Sequence, residues 1–210
     1  MRVRWVMTVA VAALAVAPVT ACAPQPPPTA IFVGDSDTVG ASLPSDQVNN
    51  RWPTLVSQSL GWREVNAGCD GSGYTRIGID CSTTYRESVD RVLDEDPDVI
   101  VVSGGISDLG ATLGEIEAAV HGTFVTLRDT FPDATIYAVG AVAVDPTTTH
   151  SVTDLNRIVA EQSAKVDAVY VDLGEPLAGR PDLLAAGGQH PNADGHAVIA
   201  ELTANVIDNA

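Results

Sequence analysis

Lysine is almost missing from this chain. Lys165 is the only one in 210 residues, and lysine and arginine together number 11 against 27 aspartates and glutamates. The resulting net charge of −16 repels nucleic acid at long range and leaves no basic patch for anionic lipid headgroups. Aromatic residues make up only 5% of the chain. Cysteines are few, with no Cys-x-x-Cys pair and no histidine close to them, which argues against a cysteine-built zinc site. Internal repeats are absent, and the one low-complexity tract is a short proline run near the start. What is present is ordinary for a globular chain, with 45% hydrophobic and 18% charged residues. That composition excludes a disordered or coiled-coil protein, and the length fits one domain with a sizeable core.

The first residues read as a targeting segment. Arg2 and Arg4 precede an apolar run from Trp5 to Val19, too short to cross a bilayer comfortably and of the length of a signal-peptide core. The run ends in Val19-Thr20-Ala21-Cys22, which resembles a bacterial lipobox. Cleavage before Cys22 and lipidation of its thiol would put acyl chains in a membrane. The alternative is an ordinary secretory cut near Ala21 or Ala23. The expected organisation is a signal peptide at 1–21, the lipobox cysteine and a stiff proline-rich tether at 22–28, and a single domain over 29–210. An exported chain permits disulfides. Cys69 and Cys81 are then left to bracket a glycine-containing loop, and a bridge between them is expected.

Along the domain, short continuous apolar runs alternate with segments of helical spacing. Strands are expected at Thr29–Val33, Trp62–Val65, Asp98–Ser103, Ala134–Val139 and Ala168–Val171. Helices are expected at Trp52–Leu60, Arg86–Leu93, Leu113–Thr130, Val152–Lys165 and Ala193–Ile207. Unbroken apolar strands alternating with helices predict a parallel sheet covered on both faces. Ligands of such sheets bind beyond the carboxyl ends of the strands, so the loops after the strands are the ones to read for chemistry.

Two of those loops carry a serine and a histidine. The first strand runs into Gly34-Asp35-Ser36-Asp37-Thr38, where Ser36 is either a helix N-cap or a nucleophile awaiting a base. The last helix is preceded by Gln189-His190-Pro191-Asn192, and His190 would lie on the same sheet edge as a general base. Asp35 and Asp108 could be metal ligands with His190, but carboxylates in tight loops more commonly accept backbone N–H groups. His196 is expected to pack or cap within the final helix, and His121 and His150 to lie on the surface or in loops. Trp52 and Trp62 read as core residues. Tyr74 and Tyr85, in or near the cysteine-bracketed loop, could line an acyl pocket.

These blocks resemble the SGNH, or GDSL-type, hydrolase superfamily of esterases, lipases and acyltransferases. The match runs in order from Gly34-Asp35-Ser36 through Asn66-Ala67-Gly68-Cys69-Asp70-Gly71 to His190-Pro191-Asn192-Ala193-Asp194-Gly195-His196. The resemblance implies a flavodoxin-like three-layer α/β/α sandwich with a five-stranded parallel sheet. It makes Ser36 the nucleophile, His190 the base, and the N–H groups of Ser36 and Gly71 oxyanion donors, with Gly73 as a register alternative for the latter. It implies no metal and no cofactor. Two positions depart from the family pattern. Ser107 stands in Gly105-Ile106-Ser107-Asp108 where the family has an oxyanion-donating asparagine. Gly187 stands three residues before His190, where the family has the aspartate that orients the imidazole. By sequence Asp172, Asp182 and Asp194 are the nearby substitutes, or a backbone carbonyl could do the work. The implied activity is ester hydrolysis, with acyl transfer or mere ligand binding on the same site as alternatives. The implied substrates are small-molecule, lipid or glycan esters met in the cell envelope, with the membrane contacted through the lipid and a monomer as the expected state.

Overall fold

A computed structural model describes residues 25–145 and 149–210. The signal-peptide and Cys22 lipidation expectations lie outside the described residues. Five strands form one sheet: β1 (Thr29–Val33), β2 (Arg63–Asn66), β3 (Val99–Ser103), β4 (Thr135–Val139) and β5 (Val169–Val171). Every pairing is parallel and the order is β2-β1-β3-β4-β5, the flavodoxin-like arrangement expected from the sequence. The helices are α1 (Ser36–Val39), α2 (Trp52–Leu60), α3 (Tyr85–Ser88), α4 (Leu113–Thr130), α5 (Thr149–Ala164) and α6 (Ala193–Asp208).

Both faces of the central strands are covered, so each strand splits its side chains between two apolar layers. Ile31 and Val33 of β1, Ile100 and Val102 of β3, and Ile136 and Ala138 of β4 pack with α4 and α5. Ala30 and Phe32 of β1 and Val99 and Val101 of β3 pack with α2 and α6 on the other side. A residue buried on either face must be apolar, which is why these strands read as unbroken apolar runs. The buried face of α4 is Ile116, Val120, Thr123, Phe124 and Leu127, the one stripe of a helix that meets a sheet. A Thr112–Glu115 capping box starts that helix, satisfying N–H groups that no earlier turn can reach.

The predicted helix at Arg86–Leu93 differs. A Thr84–Glu87 capping box starts α3 at Tyr85, and the chain tightens into a 3-10 turn over Val89–Val92. The Ser88 hydroxyl donates to the Tyr85 carbonyl at 2.6 Å and competes for the backbone acceptor of a helix turn. Helix α5 begins at Thr149 rather than Val152, and strand limits shift by a residue.

Two tertiary ties set expectations for stability. The Cys69–Cys81 disulfide is formed, with Cα atoms 6.0 Å apart and a sequence separation of 12. In the chain-entropy picture, closing a loop of this length stabilises the fold by about 3 kcal/mol. Replacing both cysteines by alanine is therefore expected to lower Tm by roughly 6–12 °C in a thermal melt. His196, fully buried on α6, accepts the backbone N–H of Trp52 at 3.3 Å, and so caps α2 from across the fold. Burial lowers its pKa to about 4. The unfolded chain protonates this histidine below about pH 6.5 while the fold resists until about pH 4, so stability falls as pH drops through that window. His196→Gln keeps an acceptor but cannot titrate. Urea unfolding at pH 7 and pH 5 should show the variant losing about 2 kcal/mol less than the wild type across that interval.

Candidate active site

The sheet order reverses at β1, whose chain returns first to β2 on one side and then to β3 on the other. The crevice of such a fold opens between the carboxyl ends of β1 and β3. The turn leaving β1 is unusually close. A Cβ on Gly34 would meet the Ser103 carbonyl at 2.8 Å and collide with the Thr38 side chain, so only glycine fits there. The next residue, Asp35, rather than Ser36, is the N-cap of α1. It accepts the Asp37 N–H at 3.2 Å with one carboxylate oxygen and the Gly105 N–H at 3.3 Å with the other. Ser36 is thereby released from capping. Its hydroxyl makes no hydrogen bond among the described residues, and its N–H, at the head of α1, has no helical partner. Burial first, and the Asp37 charge second, raise the Asp35 pKa to about 7.

His190 enters from the other end of the chain. Its carbonyl accepts the Ala185 N–H at 2.9 Å, Pro191 bridges to Leu184, and the Pro191 carbonyl accepts the Ser42 hydroxyl at 2.7 Å. Asn192 then caps α6 by accepting the Gly195 N–H at 3.0 Å, while its amide donates to the Asp182 and Leu184 carbonyls. The imidazole Nδ1 lies 2.9 Å from Asp37 Oδ1. That hydrogen bond raises the His190 pKa; burial opposes it, and the negative charges of Asp37, Asp35 and Asp70 each add a smaller upward push.

Ser36 and His190 line one cavity of about 640 Å³, together with Asp35, Asp37, Ile106, Ser107, Val142, Val144, Asp145 and the Gly187-Gly188-Gln189 segment. No lysine or arginine is among them. Ser107 sits half-buried on the 3-10 turn Ile106–Asp108 after β3. The next residue, Asp108, has the structural part expected for it. Its buried carboxylate accepts the N–H groups of Tyr74, Thr75 and Arg76 and the Thr75 hydroxyl at 2.6–3.1 Å.

Gly71 does not line this cavity. It lies in the disulfide-bracketed loop with φ +69° and an N–H that no protein group accepts among the described residues. The loop is seated on the exit of β1 by the Cys69 N–H and the Ser72 hydroxyl, which both donate to the Gly34 carbonyl. The Gly73 N–H is committed to the Arg76 carbonyl at 3.0 Å, so Gly71 is the register with a donor to spare.

Three expectations change. Asp172, Asp182 and Asp194 do not reach His190. Asp182 pairs with Arg180 and Asp172 accepts the Gly174 N–H, while Asp37 holds the imidazole. Tyr74 and Tyr85 do not line the cavity. They are core residues in edge-to-face contact at 4.8 Å, Tyr74 from the disulfide loop and Tyr85 from the head of α3, in the apolar layer that includes α4. Trp52 is core as expected, whereas Trp62 is only half-buried. His121 is exposed, and the side chain of His150 lies outside the described residues. The functional contact missed in the sequence is Asp37. Its signal was the pairing of a carboxylate gained beside Ser36 with one lost at Gly187.

Residues 32–198 match the GDSL-like lipase/acylhydrolase family. The GDSL lipase Rv0518 of Mycobacterium tuberculosis is 26% identical over 187 residues, which is 83% of this chain and 79% of that protein. Among solved structures, TesA superposes with a TM-score of 0.72 at 18% identity, over 86% of this chain and 98% of its own. A family two carbohydrate esterase from Cellvibrio japonicus gives 0.70 at 15% identity, over 89% of this chain and 62% of its own. The carbohydrate esterase family 2 enzyme of Corynascus thermopiles, solved with its carbohydrate binding domain, gives 0.69 at 18% identity, over 90% and 68%. At such identities the structures establish likeness of fold, and the family rests on the sequence match. The chain belongs to the GDSL-like lipase/acylhydrolase family and is a carboxylic ester hydrolase of the SGNH type.

Proposed function

We propose that Ser36 and His190 hydrolyse uncharged acyl or acetyl esters through an acyl-enzyme. The observation that carries this reading is a serine hydroxyl with no hydrogen bond among the described residues, in the same cavity as an imidazole already engaged at Nδ1. Ser36 Oγ attacks the ester carbonyl carbon, and its proton passes to His190 Nε2. The new C–O bond turns the carbonyl into an oxyanion held by the Ser36 N–H and the Ser107 hydroxyl, both in the cavity lining. Collapse breaks the bond to the alcohol, which leaves with the proton from His190. Water then gives a proton to the same nitrogen as it attacks the acyl carbon, and the second collapse breaks the bond to Ser36 Oγ as His190 returns that proton to it, releasing the acid and free Ser36. No hydrogen bond joins Ser36 to His190 in the unliganded protein, and such contacts commonly tighten only when substrate is bound.

The walls favour a neutral substrate. Ile106, Val142 and Val144 offer an apolar side for an acyl group. Asp35 and Asp37 put two carboxylates beside this space, and no lysine or arginine is among the described lining residues. An acylated glycan suits this lining better than an ester whose alcohol carries phosphate or carboxylate. Carbohydrate esterases among the structural neighbours accord with that choice. Export and tethering through Cys22 belong to the same proposal. They are supported by the sequence before Cys22 and by the disulfide, which suits an oxidising compartment.

Hydrolysis of p-nitrophenyl acetate and butyrate by the domain starting after Cys22 tests the chemistry. Ser36→Ala and His190→Ala should each lower kcat by about 10⁴-fold or more, and full activity in the Ser36 variant would refute it. A matched pair of esters differing by one negative charge on the alcohol tests the lining. The anionic ester should have kcat/KM lower by about tenfold at low salt, with the gap narrowing at high ionic strength.

A further inference from the structure

Gly187 occupies the position of the family's imidazole-orienting aspartate, and its backbone is unsuited to one. Its φ is +101°, outside the range that L side chains readily adopt. A Cβ built there finds nothing within 4 Å. The family's motif, as its name spells it, continues Gly-Asp-Ser with leucine. This chain has Asp37 there instead, and the Asp37 carboxylate is the group that meets His190 Nδ1 at 2.9 Å. We infer that the carboxylate of the catalytic triad has moved from the segment before the histidine to the residue after the nucleophile, so that Asp37 is the positioning residue for His190. This inference rests on the Ser36–His190 reading above.

The geometry gives the move a physical basis. A carboxylate accepts, so Nδ1 carries the proton and Nε2 presents its lone pair to the cavity. Consecutive positions of a helix diverge by about 100°, so Ser36 and Asp37 can approach one ring from two directions. The Asp37 backbone is fixed by its N–H bond to Asp35, and its side chain is only 28% exposed. An aspartate held this way fixes the tautomer and stabilises the imidazolium that forms when Ser36 gives up its proton. The other ionisable groups facing the ring are Asp35 from the same turn, Asp70 from the disulfide loop and the buried His196 of α6. Of these, only Asp37 bonds to the ring.

Asp37→Asn, Asp37→Glu and Ser36→Ala in the same domain decide the matter. Asp37→Asn should lower kcat by about 10²–10⁴-fold with KM little changed, and move the acid limb of kcat/KM to lower pH. Asp37→Glu should restore part of kcat and return the limb toward the wild-type position. An NMR titration of the His190 ring reads the same contact without turnover. The wild type should titrate above an ordinary imidazole, and Asp37→Asn should bring that value down. A wild-type His190 that titrates at or below the ordinary value overturns the assignment, even if the Asp37 variants fail to fold. So does an Asp37→Asn enzyme with kcat within threefold of wild type and an unmoved acid limb. In that case loss of activity in Ser36→Ala leaves the Ser-His reading standing. Activity surviving in Ser36→Ala would remove that reading itself.

Discussion

Asp35 ties together the two turns from which the cavity is built. One oxygen takes the N–H of Asp37, after β1, and the other takes the N–H of Gly105, after β3. Because the two strands are neighbours at the point where sheet order reverses, a carboxylate between them fixes the width of the crevice. It also assumes the capping of α1, which leaves the neighbouring hydroxyl uncommitted. A serine that capped its own helix would have its oxygen occupied by a backbone N–H. The cost is a carboxylate buried beside another, which shows in the upward push on its pKa. Gly34, Gly104 and Gly105 supply the conformations and close approaches that let backbone close around it.

The parts of this molecule that were legible in sequence are those set by local rules. A strand buried on both faces must be apolar throughout, so β1 and β3 stand out, and with them the loops that follow. Two cysteines bracketing a short loop, in a chain whose first residues read as an export signal, point to each other. The serine and histidine were legible because each sits in a block of neighbouring residues with its own turn chemistry. What could not be read depends on contacts between distant positions. Asp37 and His190 are 153 residues apart, and Trp52 and His196 are 144 apart. No periodicity links such pairs, and sequence proximity pointed instead to Asp182 and Asp194. The Arg86–Leu93 segment failed for a different reason. Its apolar spacing suits a helix, but a side-chain hydroxyl takes one of the carbonyls that a regular helix would use.

The acidic balance of the chain and its cavity belong to one picture. Carboxylates that serve structure are saturated by N–H groups, as at Asp108. At the cavity, Asp35 is likewise held by N–H groups, while Asp37 faces the imidazole. Among the described lining residues, His190 is the one side chain that can carry a positive charge. In the proposed reaction the Asp37 carboxylate would stabilise an imidazolium there and disfavour anionic substrates, so the electrostatics that narrow the choice of substrate would also assist the proton transfer.

Thr29 opens β1 and Ser36 follows its far end. The chain therefore enters the domain on one edge of the sheet, while the cavity lies on the opposite edge, a strand length of roughly 17 Å away. A domain held by its leading segment would turn its mouth outward. Esters at the point of attachment would then lie behind it, and those farther out would lie before it.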